Sequence, residues 1–163
     1  MTNVLVQSSD YSFREKRDNV RGREWRRQEG EIMHIRKGTD SSNEAIHRML
    51  QEYNAPYMKD GKDYSCYIEE NGAIVAGLVA RSVCDTLEID FLCVAEAYRG
   101  KGYGRQLLQE VEDKARGDRL RRILLNTYGF QAPEFYKKMG YRLLFKLDPA
   151  FGEYAQYYFI KDL

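Results

Sequence analysis

Three glycines stand within five residues, at positions 100, 102 and 104, between an apolar run and a run with helical periodicity. Glycine lacks a Cβ, so the backbone N–H groups of such a loop are accessible to a ligand, and they lie at the positive end of the helix dipole. This arrangement favours the binding of an anion, and of a diphosphate in particular. The chain must therefore adopt a fold in which a strand leads directly into a helix.

Two common nucleotide-binding patterns do not fit this loop. A dinucleotide fingerprint G-x-G-x-x-G that begins at Gly100 would need glycine at position 105, where Arg105 stands. A P-loop needs lysine followed by serine or threonine, and Lys101 is followed by Gly102. Lys101 and Arg105 are placed to add positive charge for the phosphates, and Arg99 could either stabilise the loop or reach them.

Length and composition exclude several classes of protein. A chain of 163 residues allows one domain with a sizeable core, without room for a second full domain. Its 26 basic and 25 acidic side chains nearly cancel, so no net charge draws it towards nucleic acid or an anionic membrane. The three cysteines have no metal-ligand spacing, and the sequence has neither a signal peptide nor a membrane-spanning run. We expect a cytoplasmic protein without a metal site.

The first 32 residues differ from the rest because they are polar and crowded with arginine interleaved with acids. This pattern predicts a charged N-terminal extension at residues 1–32, either solvated, with a short helix around residues 11–28, or acting as an arm that binds RNA or a partner protein. Residues 33–163 are predicted to form the folded domain.

Hydrophobic periodicity predicts regular elements from residue 33 onward. Strands are predicted at residues 33–36, 64–69, 73–83, 86–94, 122–127, 141–147 and 154–161. Helices are predicted from the candidate N-caps Asp40 or Ser41 to Tyr53, at residues 103–116 and at residues 132–139. The second to fourth strands are joined by tight turns, which favours an antiparallel meander, and a turn at residues 149–152 joins the last two strands.

The loop motif Arg99-x-x-Gly102-x-Gly104 resembles the Q/R-x-x-G-x-G/A motif of the GNAT superfamily of acyl-CoA N-acetyltransferases. The apolar run at residues 91–94 precedes it, as the fourth strand of that family does, and Ala132-x-x-x-Tyr136-x-x-x-Gly140-Tyr141 follows it, as the family's A-x-x-x-Y-x-x-x-G-F/Y does. The resemblance covers residues 33–163. It implies an α/β (α+β) fold with a mixed, mostly antiparallel central sheet of about six to seven strands and helices on both faces.

The resemblance also implies acetyl-CoA as a co-substrate, with its pantetheine arm in a gap where the strands at residues 86–94 and 122–127 splay apart. The implied cofactor-binding residues are Leu92, Cys93, Val94, Arg99, Gly100, Lys101, Gly102, Tyr103, Gly104 and Arg105. Gly129 stands where many members have an asparagine that bonds the pantetheine, so Gln131 or Asn126 would have to replace that contact.

Acetyl transfer to an amine needs a base, because an amine is protonated at neutral pH. The resemblance implies Glu88, eleven positions before Arg99, where the histone-acetylating branch of the family has its catalytic glutamate. Other members use other bases, so a solvated or salt-bridged Glu88 remains an alternative. Asp90 is predicted on the same face by alternation, where it attracts a cationic amine, or acts with Glu88 in catalysis because each acid raises the pKa of the other, or bonds a loop. Tyr136 matches the family's general acid for the CoA thiolate, or packs on the cofactor.

The acceptor amine is the least constrained part of the interpretation. The family builds its acceptor pocket from segments that correspond to residues 53–63 and 148–158, and their aromatic and acidic side chains suit a small cationic amine such as a polyamine or aminosugar. A protein N-terminus or lysine remains open. The expected partners are acetyl-CoA and the amine, without membrane or nucleic acid, and a homodimer is compatible with such a domain. The rival interpretations are a catalytically silent acyl-CoA-binding module and nucleic-acid binding through the extension.

Overall fold

A computed structural model describes residues 24–26, 32–58 and 61–163. The described chain forms two compact units, one within Tyr11–Tyr57 and the other in Met58–Leu163. All residues of the glycine loop and of the predicted catalytic set belong to the second unit.

The first unit contains a two-stranded antiparallel ribbon and a helix: β1 (Glu24–Arg26), β2 (Ile32–His34) and α1 (Asp40–Asn54). The predicted strand at 33–36 begins one residue earlier and ends two residues earlier. The helix predicted around residues 11–28 is wrong for residues 24–26, which form β1 and pair with β2. The other residues of that predicted helix lie outside the described residues.

Thr39, rather than Asp40 or Ser41, caps α1. Its backbone is extended, so its Oγ1 accepts a hydrogen bond from Ser42 N at 3.2 Å, and Ser42 Oγ accepts one from Thr39 N at 2.7 Å. This reciprocal pair is a capping box in which serine takes the place usually held by glutamate or glutamine, which is why the pattern was missed in the sequence.

The second unit is built on one six-stranded sheet with the strand order β3-β4-β5-β6-β8-β7. Its elements are β3 (Cys66–Glu70), β4 (Ala73–Val83), β5 (Thr86–Val94), α2 (Tyr103–Gly117), β6 (Arg122–Tyr128), α3 (Pro133–Lys138), β7 (Arg142–Phe151) and β8 (Tyr154–Asp162). Among these described strands, β5 and β6 pair in parallel and the other neighbours pair antiparallel. The predicted mixed, mostly antiparallel sheet and its meander are confirmed.

One face of the sheet packs against α2 and α3 and forms the core. The apolar stripe of α2 is buried there with β5 and β6 side chains such as Leu87 and Ile123; the stripe comprises Leu107, Leu108, Val111 and Ala115. We call the opposite face the distal face. It carries the residues that alternate with buried ones, namely Arg81, Glu88, Leu124, Asn126 and Tyr128.

A buried carboxylate ties α2 to the last two strands. The Glu112 side chain is 5% exposed, accepts a hydrogen bond from the Tyr141 hydroxyl at 3.1 Å and lies 2.7 Å from Lys161 Nζ. Burial, together with the Glu112 charge, raises the pKa of Tyr141 well above its ordinary value, so this hydroxyl remains a donor. The contacts satisfy a charge that would otherwise be costly inside the fold.

The end of β7 differs from the prediction. The expected turn at residues 149–152 is shorter, because β7 continues to Phe151, which pairs with Tyr154. The register shifts between Leu147 and Phe151, so Pro149 lies in an irregular part of an edge strand. Proline is tolerated there because no neighbouring strand needs its missing N–H.

Candidate active site

The central feature of the site is a gap between β5 and β6. These strands pair from Thr86 with Arg122 to Ile89 with Leu125 and then part. Each continues to pair on its other side, since β5 pairs with β4 as far as Val94 and β6 pairs with β8 as far as Tyr128. Residues 90–94 and 126–128 therefore form the two walls of a gap in the middle of the sheet.

The backbone of β5 faces into this gap at alternate residues. Ala95 N–H donates to Val75 O at 2.9 Å, so this pair is a hydrogen-bonded one of the β4–β5 ladder. Alternation then directs the backbone groups of Cys93 towards β4 and those of Leu92 and Val94 into the gap. Leu92 and Val94 are among the cofactor-binding residues that the family resemblance implies.

A bulge in β5 sets which side chains face the core. Val79 pairs with Phe91 and Ala80 pairs with Ile89, so Asp90 is an extra residue. Strict alternation would have put Leu92 on the face of Glu88, whereas the bulge returns Leu92 and Val94 to the core, where both are buried. Regular alternation therefore ends after Asp90, because pairing with β4 shifts the register.

Both acids of β5 nevertheless lie beside Arg81 on the distal face. Arg81 is opposite Glu88 in the ladder, and its Nε lies 3.8 Å from Asp90 Oδ2. Asp90 is thus paired with a cation, which favours a charge-balancing role for it. Glu88 is half-buried next to the point where β5 and β6 part.

The glycine loop begins α2 in the conformation that the sequence predicts. Gly100 and Gly102 have φ values of +80° and +87°, a left-handed backbone that other residues adopt at a cost. Gly102 is the N-cap of α2, and no side chain caps the helix there. The N–H groups of its first turn therefore lack intrahelical partners and lie at the positive end of the helix dipole, as an anion site requires.

Close packing holds this helix start against the gap. A Cβ on Gly104 would lie 3.4 Å from Phe135 Cζ and 3.7 Å from Val94 Cγ2, so glycine brings α2 close to α3 and to the end of β5. Arg99 Nε donates to Val94 O at 3.1 Å, which ties the loop to the strand end. Of the two roles considered for Arg99, this contact supports stabilisation of the loop.

The comparison with known families agrees with this geometry. Residues 23–141 match the model of the Acetyltransferase (GNAT) family. The chain belongs to the GNAT family of acetyltransferases. The match confirms the resemblance indicated by the loop motif, and it begins within the residues predicted to be an extension. Members of this family take the acetyl group from acetyl-CoA, as the motif implied.

Individual relatives support the same assignment. The chain is 37% identical over 81 residues to a blasticidin-S acetyltransferase of Streptomyces morookaense, a match that spans 49% of this chain and 58% of that relative. It is 36% identical to an acetyltransferase from Bacillus cereus ATCC 14579 in a crystal structure, with a TM-score of 0.70, covering 80% of this chain and 98% of that one. An aminoglycoside 6'-N-acetyltransferase complexed with coenzyme A shares the fold, with 18% identity, a TM-score of 0.55 and coverage of 76% and 81%.

Tyr136, the predicted general acid of this GNAT domain, lies in α3 with its side chain in the core. It is 5% exposed and packs edge-on against Phe135 and Tyr141, with ring centroids 5.3 and 5.8 Å away. Burial raises the pKa of Tyr136 well above its ordinary value. The phenol is protonated at neutral pH, as an ordinary tyrosine is, and burial makes it a weaker acid than an exposed tyrosine.

The two substitutes proposed for the missing asparagine differ in their contacts. Gln131 Oε1 accepts bonds from Thr127 Oγ1 at 3.0 Å and Tyr128 N at 2.8 Å, so it holds the turn between β6 and α3. Asn126 lies on the wall of the gap, with its Oδ1 accepting from Gln156 Nε2 at 2.8 Å. Asn126 is therefore better placed than Gln131 to meet a ligand in the gap.

Lys101 and Tyr103 make contacts that the sequence did not predict. Lys101 Nζ lies 4.4 Å from the centre of the Tyr98 ring, and Tyr98 and Tyr103 stack with centroids 6.3 Å apart. The Tyr103 hydroxyl donates to the Glu70 carboxylate. Glu70 was missed because only the fold brings the β3–β4 hairpin to the loop. Arg105 is exposed on the first turn of α2.

The predicted acceptor segments are described in part. Lys59 and Asp60 lie outside the described residues. A cavity of about 420 Å³ lies beside β4, where Lys62, Asp63, Arg81 and Asp90 are among its lining residues.

In the described ranges, no helix is long and apolar enough to cross a membrane, and no three His, Cys, Asp or Glu side chains come together as a metal site.

Proposed function

We propose that this protein transfers an acetyl group from acetyl-CoA to a primary amine. The observation that carries the proposal is the combination, in one place, of the gap between β5 and β6 and the uncapped N-terminus of α2. The helix terminus suits the pyrophosphate, and the gap suits an extended arm with amide groups, because the backbone of Leu92 and Val94 can pair with it as a strand would.

The reaction is direct attack of the amine nitrogen on the thioester carbonyl carbon. A C–N bond forms, the C–S bond breaks, and the products are the N-acetylated amine and the thiol of CoA. In our proposal Glu88 takes a proton from the amine, directly or through water, and Tyr136 supplies a proton to the departing sulfur. Burial raises the pKa of Tyr136 and so weakens it as an acid, but a thiolate is a good leaving group and needs little protonation, so this contribution to the rate is small.

The acceptor is a primary amine of a small molecule or of a protein. The similarity to a blasticidin-S acetyltransferase makes blasticidin S a candidate, alongside the polyamines and aminosugars expected from the sequence.

Cys66 and Cys93 are free thiols, which suits a reducing compartment, and we propose the cytoplasm as the location. A homodimer remains a prediction.

The test is turnover by the purified full-length chain. Acetyl-CoA is incubated with a panel of amines, peptides and blasticidin S, and both released CoA thiol and acetylated product are measured. We expect amine-dependent release with one acetyl group transferred per CoA. Calorimetric binding of acetyl-CoA without turnover of any acceptor would instead favour the silent acyl-CoA-binding module.

A further inference from the structure

Four aromatic side chains cluster at the end of β6, beside the gap. Tyr128 and Phe130 are stacked with centroids 5.5 Å apart and planes 5° from parallel, Phe151 lies 5.9 Å from Tyr128, and Tyr154 meets the edge of Phe130 at 4.8 Å. Phe130, Phe151 and Tyr154 remain 44%, 49% and 41% exposed. The cluster therefore presents large aromatic surfaces that are not covered by packing among the described residues 61–163.

A pair of amides lies next to this cluster on the distal face. Asn126 Oδ1 accepts from Gln156 Nε2 at 2.8 Å, and Gln156 is opposite Tyr128 in the β6–β8 ladder. Beyond the amides, Phe145 stacks on Tyr158 with centroids 4.3 Å apart and planes 12° from parallel. The bond between the amides leaves Asn126 Nδ2 as a donor and Gln156 Oε1 as an acceptor for a ligand.

These groups are continuous with the reacting centre. Asn126 and Tyr128 belong to the wall of the gap opposite residues 90–94. Residues two apart on a strand are separated by about 7 Å, so a molecule of that length resting on Tyr128 extends along the wall of the gap to Asn126.

We propose that this aromatic and amide surface binds the acceptor, and that the acceptor carries its amine on a flat, unsaturated ring with an amide-like edge. The inference rests on the proposed acetyl transfer and specifies its substrate class. A flat ring stacks on the exposed aromatic faces, and a donor next to an acceptor on its edge matches the Asn126 and Gln156 amides. The aromatic and amide side chains carry no charge, so they select a ligand by its shape and hydrogen-bonding groups.

The experiment compares two amines of similar size, 5-(aminomethyl)uracil and the saturated cyclohexylmethylamine. We expect the wild-type chain to favour the planar amine by about tenfold in kcat/KM, the scale of a single stacking interaction. Phe130→Leu keeps apolar volume but removes the ring, so the preference for the planar amine should fall by about tenfold, through a higher KM for that amine. Tyr154→Leu should act in the same direction, and Tyr67→Leu, an exposed tyrosine on β3, is the matched control.

Ligand-observed saturation-transfer NMR with 5-(aminomethyl)uracil and CoA gives a readout that does not need turnover. The ring protons should receive saturation in the wild type and lose most of it in Phe130→Leu. Equal kcat/KM for the two amines, unchanged by both substitutions, would overturn the aromatic surface as a specificity site while leaving acetyl transfer intact. Saturation transfer without consumption of acetyl-CoA by any amine would keep the binding surface and reject the proposed function.

Discussion

The hydroxyl of Tyr103 donates a hydrogen bond to the carboxylate of Glu70, and this contact joins the first residue of α2 to the last residue of β3. The glycine loop is therefore supported from the meander as well as from its own helix. The hydrogen bond to Glu70 also raises the pKa of Tyr103, so the donor stays protonated across the neutral range.

Tyr103→Phe tests this support. The variant removes the hydroxyl but keeps the ring on Tyr98, so the loop loses one hydrogen bond to a charged group. We expect the Kd for acetyl-CoA to rise by about two- to tenfold, because the loop is less well ordered for the pyrophosphate, with kcat unchanged. Calorimetric titration measures the effect, and Tyr67→Phe on the same hairpin is the control. Equal affinities for wild type and variant would show that the contact does not order the loop.

Glu88→Gln tests the base. We expect kcat to fall by at least about 100-fold near pH 7, with the KM for acetyl-CoA within about twofold, because the side chain lies on the distal face away from the α2 terminus. The difference should narrow at high pH, where the amine is already neutral. Steady-state rates across pH provide the measurement.

Asp90→Asn is the matched comparison for Glu88→Gln, since Asp90 is already paired with Arg81. Its effect on kcat should be much smaller. A Glu88→Gln enzyme that kept more than about a third of wild-type kcat would mean that another group accepts the proton.

Gly102 and Gly117 stand at opposite ends of α2 and provide a matched pair. Gly102→Ala should cost about 1–2 kcal/mol of unfolding free energy and weaken acetyl-CoA binding, since φ at Gly102 is +87°. Gly117 is the last residue of the helix and has open space around its Cβ position, so Gly117→Ala should be neutral or stabilise by up to about 1 kcal/mol. Urea unfolding followed by circular dichroism decides between these values; similar free energies would contradict the conformational argument.

Glu112→Gln should destabilise the domain by about 2–3 kcal/mol. The substitution leaves the largely buried ammonium of Lys161 without an opposing charge, and such unpaired charges are costly. Glu110→Gln disrupts an exposed pair with Lys114 on the same helix and should change the free energy of unfolding by less than about 0.5 kcal/mol. Chemical denaturation of both variants compares them directly, and equal losses would refute the role assigned to burial.

Asp118 links stability to pH. Hydrogen bonds from the Tyr64 hydroxyl and from Lys62 lower the pKa of Asp118 below its ordinary 3.8. A lowered folded pKa gives stability that is present above the unfolded value and is lost as pH falls through the folded one. In thermal melts, the melting temperature of the wild type should therefore be higher than that of Asp118→Asn at pH 5–7. This difference in melting temperature should shrink below about pH 4. A constant difference across this range would reject the linkage.

The same contact has an alkaline limb. Burial and the hydrogen bond to Asp118 raise the pKa of Tyr64 to about 12. The stability that this raised pKa supplies is present below pH 10 and is lost as pH rises towards 12. In thermal melts between pH 10 and 12, the fall in melting temperature should therefore be smaller for Tyr64→Phe than for the wild type.

Local signals predicted much of the fold. The glycines at 100, 102 and 104 predicted the start of α2. The meander was predicted from alternation and from turn residues such as Asn71 and Gly72, both of which have positive φ in the structure. The resemblance to the family also implied the gap between the strands that are now β5 and β6.

Features that depend on pairing between distant segments could not be read in the same way. The bulge at Asp90 exists because β4 and β5 shift register, and the extension of β7 past Pro149 depends on its place at the sheet edge. The Glu70 contact and the amide pair of Asn126 and Gln156 join residues 33 and 30 positions apart, so they required the folded structure.

The gap between β5 and β6 separates two kinds of recognition. On the donor side the proposed contacts are made by main-chain groups of Leu92, Val94 and the α2 terminus, which any side chain that preserves the fold would leave in place. On the acceptor side they are made by side chains, each replaceable by a single codon change. A domain of this construction can exchange one acceptor for another over evolutionary time while its acetyl donor stays the same.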